Sequence, residues 1–227
     1  MNLAALFSGG KDSTFAIYKA KLEGHNVRCL VTVFPVSDES QFLHFPNISI
    51  TKLQAKSMGL PHLFHQTTST DVQTEMNEIE KLLAQAKNDF GIEGLVHGGI
   101  LSEFQKTRFE NICSKLNLKT ISPLWKTDQK EYMKNLLDSK FKFIITSVSS
   151  AGLDDSWLGK EITKDDLQKL DTLSVKHGFN LSFEGGEAET LVLDCPLFSS
   201  PIKIVKSQKT WDGYRGRFEI TEAILDQ

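Results

Sequence analysis

Short apolar runs alternate with stretches of helical periodicity over the first two thirds of the chain, and this alternation restricts the fold more than any other feature. The runs cover residues 3–7, 29–34, 62–65, 94–97, 118–121 and 141–148. Between them, Val72, Met76, Ile79, Leu83 and Ala86 step by four and three, the spacing of one buried helix face. Phe109, Ile112, Cys113 and Leu116 mark a second such face, and further helices are expected over residues 12–23, 48–58 and 129–137. Strands joined through helices run parallel and are covered on both faces. The reading is a Rossmann-like, doubly wound α/β domain with a mainly parallel five-stranded sheet over residues 1–148. After residue 148 the regularity falls. A helix carrying Leu167, Leu170 and Ser174 precedes short strands near 191–193, 202–205 and 217–220, with Asp212-Gly213 and Gly216 as turn signals, so residues 149–227 are expected to form a smaller α+β lobe.

Composition excludes several function classes. The chain has 227 residues, 40% apolar and 24% charged, as an ordinary globular enzyme has. Its formal charge of −3 provides no global cationic surface, so no nucleic-acid partner is expected. The 3 cysteines contain no C-x-x-C pair and the 6 histidines neither H-x-H nor H-E-x-x-H, which argues against a disulfide framework and against zinc. No apolar run approaches about 18 residues and the opening residues lack a charged leader, so a cytoplasmic protein without a membrane partner is expected. Homo-oligomer formation is left open.

The sharpest motif is Ser8-Gly9-Gly10-Lys11-Asp12-Ser13, placed between an apolar strand and the first turn of a helix. Two glycines let backbone N–H groups close around an anion, the helix N-terminus adds partial positive charge, and Ser13 donates a hydroxyl. Lys11 supplies a mobile point charge for phosphates. The spelling fits neither Walker A nor the dinucleotide fingerprint. An exposed glycine turn with an acid at a helix start is the plainer reading of the same residues.

The hexapeptide resembles the signature of the PP-loop ATP pyrophosphatases, which split ATP into AMP and pyrophosphate and leave AMP on an activated substrate. The resemblance implies that Ser8, Gly9, Gly10, Lys11, Ser13 and Gly98 bind ATP, that Lys11 is catalytic, and that Asp12 is both catalytic and a magnesium ligand. Thiolases of this group need a sulfur-carrying cysteine. Cys29 and Cys113 fall on apolar faces and Cys195 has no partner nearby in sequence, so a thiolase is disfavoured.

Two further segments narrow the group. Residues 98–111, GGILSEFQKTRFEN, and 184–190, EGGEAET, together with Pro123-Leu124-Trp125, resemble the diphthine–ammonia ligase family in the same order along nearly the whole chain. The departures are Gly99 for Ala, Glu103 for Asp, Phe104 for Tyr, Lys106 for Arg, Phe183 where a Gly often precedes the acid, and Ala188 for an aromatic residue. The last two bear on the acceptor pocket. The resemblance implies adenylation of the diphthine carboxylate on elongation factor two, displacement of AMP by free ammonium, and ATP with Mg2+ as requirements. His44, Ser102, Gln105, Arg108, Glu184, Gly185, Gly186 and Thr190 are the expected acceptor residues. Glu187 and Glu189 are expected to act on ammonia or on the acceptor's fixed cation, against the alternative of a solvated acidic turn. For Arg108 the alternative is an exposed ion pair, with Glu110 as partner. His62 and His65 are expected to be structural, and His97 to close the fourth strand. Two other functions stay open: the same adenylation with a different acceptor, and a non-catalytic ATP-binding module.

Overall fold

The computed structural model describes residues 1–34, 47, 50–67 and 71–226. The chain divides into two compact units, one of Met1–Ser8, Asp12–Ile48 and Gly59–Trp125, the other of Gly9–Lys11, Ser49–Met58 and Lys126–Gln227.

In the first unit β1 (Asn2–Leu6), β2 (Asn26–Phe34), β3 (His62–Gln66), β4 (Gly94–Val96) and β5 (Lys119–Ile121) form a sheet in the order β3-β2-β1-β4-β5. All four pairings are parallel, as the alternation requires. Helix α1 (Lys11–Leu22) follows β1, while α2 (Thr51–Met58) belongs with the second unit. Helix α3 (Val72–Phe90) starts where the Asp71 carboxylate accepts the Thr74 N–H at 2.9 Å, and it ends at a left-handed Gly91. Its Met76, Ile79, Leu83 and Ala86 pack with Ala4, Cys29, Val31 and Val33 of the sheet and with Phe109, Ile112 and Cys113 of α4 (Glu103–Lys115). Each larger side chain so buried contributes about 1.5–3 kcal/mol. Strand order reverses between β1 and β4, and the segments leaving the carboxyl ends of these neighbours flank the place where open α/β sheets bind ligands.

The second unit contains α5 (Gln129–Asp138), β6 (Lys142–Val148), α6 (Lys164–His177), β7 (Ala188–Asp194), β8 (Ile202–Trp211) and β9 (Gly216–Leu225). Its sheet is antiparallel in the order β7-β6-β9-β8, with Ile50, Ile144, Leu191, Ile202 and Ile220 at its core. The sequence expectation drew a boundary after residue 148; by contacts, β6, α5 and α2 group with the second unit. Strand β6 lies between β7 and β9, and its Phe143, Ile144 and Ile145 are all buried. An interior strand reads as a continuous apolar run whichever way its neighbours point. Among the described residues no helix is long and apolar enough to cross a membrane.

Candidate functional site

The Ser8–Ser13 loop leaves β1 through Phe7, whose carbonyl accepts the Thr32 hydroxyl at 2.6 Å while His62 Nε2 donates to the same Thr32 oxygen at 2.7 Å. His65 Nε2 lies 3.3 Å from the Glu78 carboxylate. Ser8 N–H donates to Ser13 Oγ at 3.2 Å, and the two hydroxyl oxygens are 3.0 Å apart, which closes the turn at the start of α1.

Gly98 follows β4 and approaches that turn so closely that a Cβ on it would lie 2.5 Å from the Asp12 carbonyl carbon and 2.6 Å from Ser13 N. Only glycine fits there. The position is held by buried His97: Nδ1 accepts the Gly99 N–H at 3.2 Å, which leaves the ring proton on Nε2 to donate to Ser122 Oγ at 2.7 Å. Burial, helped by the Lys106 charge, lowers the His97 pKa to about 4, so the ring is neutral near pH 7.

The expected acceptor residues of α4 have mixed fates. Ser102 is the N-cap, accepting the Gln105 N–H at 3.3 Å, and Gln105 Oε1 is 3.9 Å from the point a Gly99 Cβ would occupy. Arg108 stacks on the ring of Phe104 with its Cζ 3.3 Å from the centroid, and Nη1 donates to the Phe104 carbonyl. Glu110 is 3.7 Å from Lys106 Nζ, which also lies over the Trp125 ring at 4.6 Å, so Glu110 is the partner of Lys106 instead of Arg108.

In the second unit Gly9 has φ +79°, in the left-handed region, and its carbonyl accepts from Val192 N–H at 3.0 Å and from Gln54 Nε2 at 3.0 Å. Gln54 also donates to the Val192 carbonyl at 2.8 Å. Lys11 N–H donates to Thr190 Oγ1 at 3.2 Å, so Thr190 is tied to the glycine loop. The Lys11 side chain is 1% exposed and its ammonium donates to the Ser182 carbonyl at 2.6 Å, with the rings of Tyr132 and Phe183 at 5.9 and 5.4 Å. Lys11 is thus a held cation where the sequence suggested a mobile one.

The segment presenting Ser182 is closed by its own polar groups. Ser182 N–H and Oγ both donate to Asn180 Oδ1, and Leu181 N–H donates to Gln129 Oε1. The Glu187 carboxylate accepts from Asn180 N–H at 2.9 Å and Gly185 N–H at 2.8 Å, while the Gly186 carbonyl accepts the Ser149 hydroxyl at 2.6 Å. Glu187 therefore shapes this turn, whereas the sequence reading gave it to ammonia or the acceptor cation. Phe183, where the resembled family often has Gly, has φ +63°. Glu184 and Glu189 are half-buried on either side of Glu187, and Ala188 is buried in β7 opposite Val148.

Gln54, Ser122, Trp125, Tyr132 and Ser182 were not singled out as site residues by sequence. His44 lies outside the described residues. Among the described residues no group of three metal-binding side chains exists. Asp12, half-buried in the first turn of α1, suits an ion that takes its other ligands from phosphate oxygens and water, as magnesium does.

Comparison with known proteins covers the chain almost end to end. The diphthamide synthase N-terminal domain model matches residues 1–120 and the diphthamide synthase C-terminal domain model residues 128–225. The diphthine–ammonia ligase of Mus musculus is 34% identical over 226 residues, spanning 92% of this chain and 84% of that protein. That of Schizosaccharomyces pombe is 34% identical over 224 residues, spanning 92% of this chain and 37% of that protein. A solved structure described as a predicted subunit of tRNA methyltransferase from Methanocaldococcus jannaschii superposes with a TM-score of 0.44 at 16% identity, over 86% of this chain and 97% of that one.

Proposed function

Because this chain belongs to the diphthamide synthase family, we propose that it is an ATP-dependent carbon–nitrogen ligase that converts diphthine to diphthamide with free ammonium. The observation that carries the reading is the Ser8–Ser13 motif at the end of β1, with Asp12 and Ser13 packed against Gly98, in a chain matched by both family domains.

A carboxylate does not react with ammonia at neutral pH because the group displaced would be oxide. Attack of the diphthine carboxylate oxygen on the α-phosphorus of ATP expels pyrophosphate and gives a mixed anhydride with AMP. Ammonia then attacks the carbonyl carbon, AMP leaves, and the spare proton goes to a base or to water. Gly9, Gly10, Lys11 and Ser13 are assigned to the phosphates that become pyrophosphate, an electrostatic role that grows as charge develops on the leaving group. Asp12 would hold magnesium, whose charge offsets that of the phosphates. Glu184 and Glu189 are assigned to the fixed trimethylammonium of the acceptor and to the proton released by the attacking ammonia. Ser102, Gln105 and Arg108 keep a supporting assignment through the N-terminal turn of α4. Elongation factor two is the assigned protein acceptor, and the cytoplasm the assigned compartment.

The test is mass spectrometry of diphthine-bearing elongation factor two after incubation with the protein, Mg2+, ATP and ammonium, together with AMP release. Conversion of acid to amide, lost in Lys11→Ala, is the expected result. AMP release without amidation would move the same adenylation to another carboxylate. No AMP release with any acceptor would favour a module that only holds ATP.

A further inference from the structure

Phe183 holds a backbone conformation that bulky residues rarely adopt. Its φ of +63° lies in the left-handed region, where an aromatic residue persists only if its surroundings fix it. Here the chain is bonded on both sides: the Phe183 N–H donates to the Asn180 carbonyl at 2.8 Å, and the Phe183 carbonyl accepts the Gly186 N–H at 3.3 Å. Asn180 Oδ1 also fixes Ser182 through its N–H and its hydroxyl, and the Glu187 carboxylate closes the turn from its other end. Through this turn two successive residues meet one ammonium. Ser182 offers its carbonyl to Lys11 Nζ at 2.6 Å, and Phe183 offers its ring face, with the centroid 5.4 Å away. Phe183 is 5% exposed and stacks on Phe179 at 6.3 Å, so the attraction between ring and cation acts out of water, where it is stronger.

A carbonyl takes one of the ammonium's N–H groups and a ring face takes its charge, so the two contacts do not compete. Lysine is long and flexible, and a cation that meets charge developing in a reaction acts best when it is fixed beforehand. We propose that Phe183 is a positioning residue for Lys11, its ring face and the Ser182 carbonyl together fixing the ammonium assigned above to the phosphates. This role rests on that assignment.

Fluorine draws negative charge from a ring face and changes the ring's size little, so mono-, di- and trifluorinated phenylalanine at position 183 weaken the hold on a cation step by step. The kcat and the KM for MgATP are read from AMP release with acceptor and ammonium present, and the melting temperature is read beside them. About three- to tenfold slower turnover is expected with the trifluorinated ring, falling steadily along the series, with a smaller change in KM. A ring that served only to stack on Phe179 would lose nothing, since drawing charge from one ring eases the repulsion between two stacked faces. The same series at Phe179 is the comparison, with turnover expected to stay close to wild type. Turnover that does not fall at position 183, or that falls equally at position 179, overturns the proposal. If the substituted chains do not fold, the wild-type chain labelled at lysine is followed by NMR before and after addition of MgATP. An upfield ring-current shift of the Lys11 methylene beside the ammonium, kept in both states, is expected, and an ordinary lysine shift in either state overturns the role. Wild type that neither binds MgATP nor releases AMP removes the phosphate assignment of Lys11 itself, whereas AMP release untouched by the substitutions removes only the role of Phe183.

Discussion

Gly98→Ala tests whether the close approach at the end of β4 sets the phosphate loop. The added Cβ would sit 2.5 Å from the Asp12 carbonyl carbon, where ordinary contact begins at 3.4 Å, so about 0.9 Å of relief is needed. The neighbours are backbone atoms in the first turn of α1, which cannot swing aside as the tip of a side chain does. Overpacking of this kind costs about 1–3 kcal/mol. In a chain of this length each kcal/mol lowers the melting temperature by roughly 2–4 °C. The catalytic effect is larger, since a misplacement near 1 Å at reacting groups costs on the order of 100-fold in rate. Scanning calorimetry and AMP release at saturating ATP measure the two effects. Gly99→Ala is the internal comparison, because its Cβ meets side chains instead of backbone, the His97 ring at 3.1 and 3.3 Å and Gln105 Oε1 at 3.9 Å, and a smaller effect is expected there. If Gly98→Ala melts and turns over like wild type, the contact does not set the loop and the reasoning fails.

The His97 pKa, lowered from 6.5 to about 4, makes the unfolded chain bind a proton that the folded chain refuses. Stability from this residue is thus complete above pH 6.5 and lost as pH falls toward 4, so the decline of melting temperature over that window should flatten in His97→Gln. An unchanged slope in the variant would assign the decline to other groups. All three cysteines are buried, and burial pushes the Cys29 thiol up to about 12 and raises that of Cys113 as well. Treatment of the native protein with iodoacetamide at neutral pH should leave all three unlabelled and AMP release intact; rapid labelling with loss of activity would contradict this account.

The parallel sheet and α3 were legible because their signals are local, an apolar run or a single-faced helix bounded by turns. The Ser8–Ser13 loop was legible for the same reason. The sheet that β6 joins was not legible, because burial on both faces is common to interior strands of parallel and antiparallel sheets and its apolar run does not name its partners. Ser102 carried a readable signal, since a Ser followed three residues later by Gln is a helix-start pattern. Gln54 carried none: an amide in a short helix reads as solvent-facing, and its partners are 45 and 138 residues away. Glu187 looked like chemistry because three acids lie close together, yet its carboxylate serves two backbone N–H groups of its own turn.

The hydrogen bonds from the phosphate loop to β7 have a consequence during synthesis. Lys11 and its partner Thr190 are separated by 179 positions, and during synthesis the Gly9 carbonyl waits for Val192. A nascent chain can carry every strand of the parallel sheet and still hold an unfinished loop. The loop is held in its final shape only once β7 has been translated, so a message truncated before β7 yields a chain with the whole motif and without the hydrogen bonds that shape it.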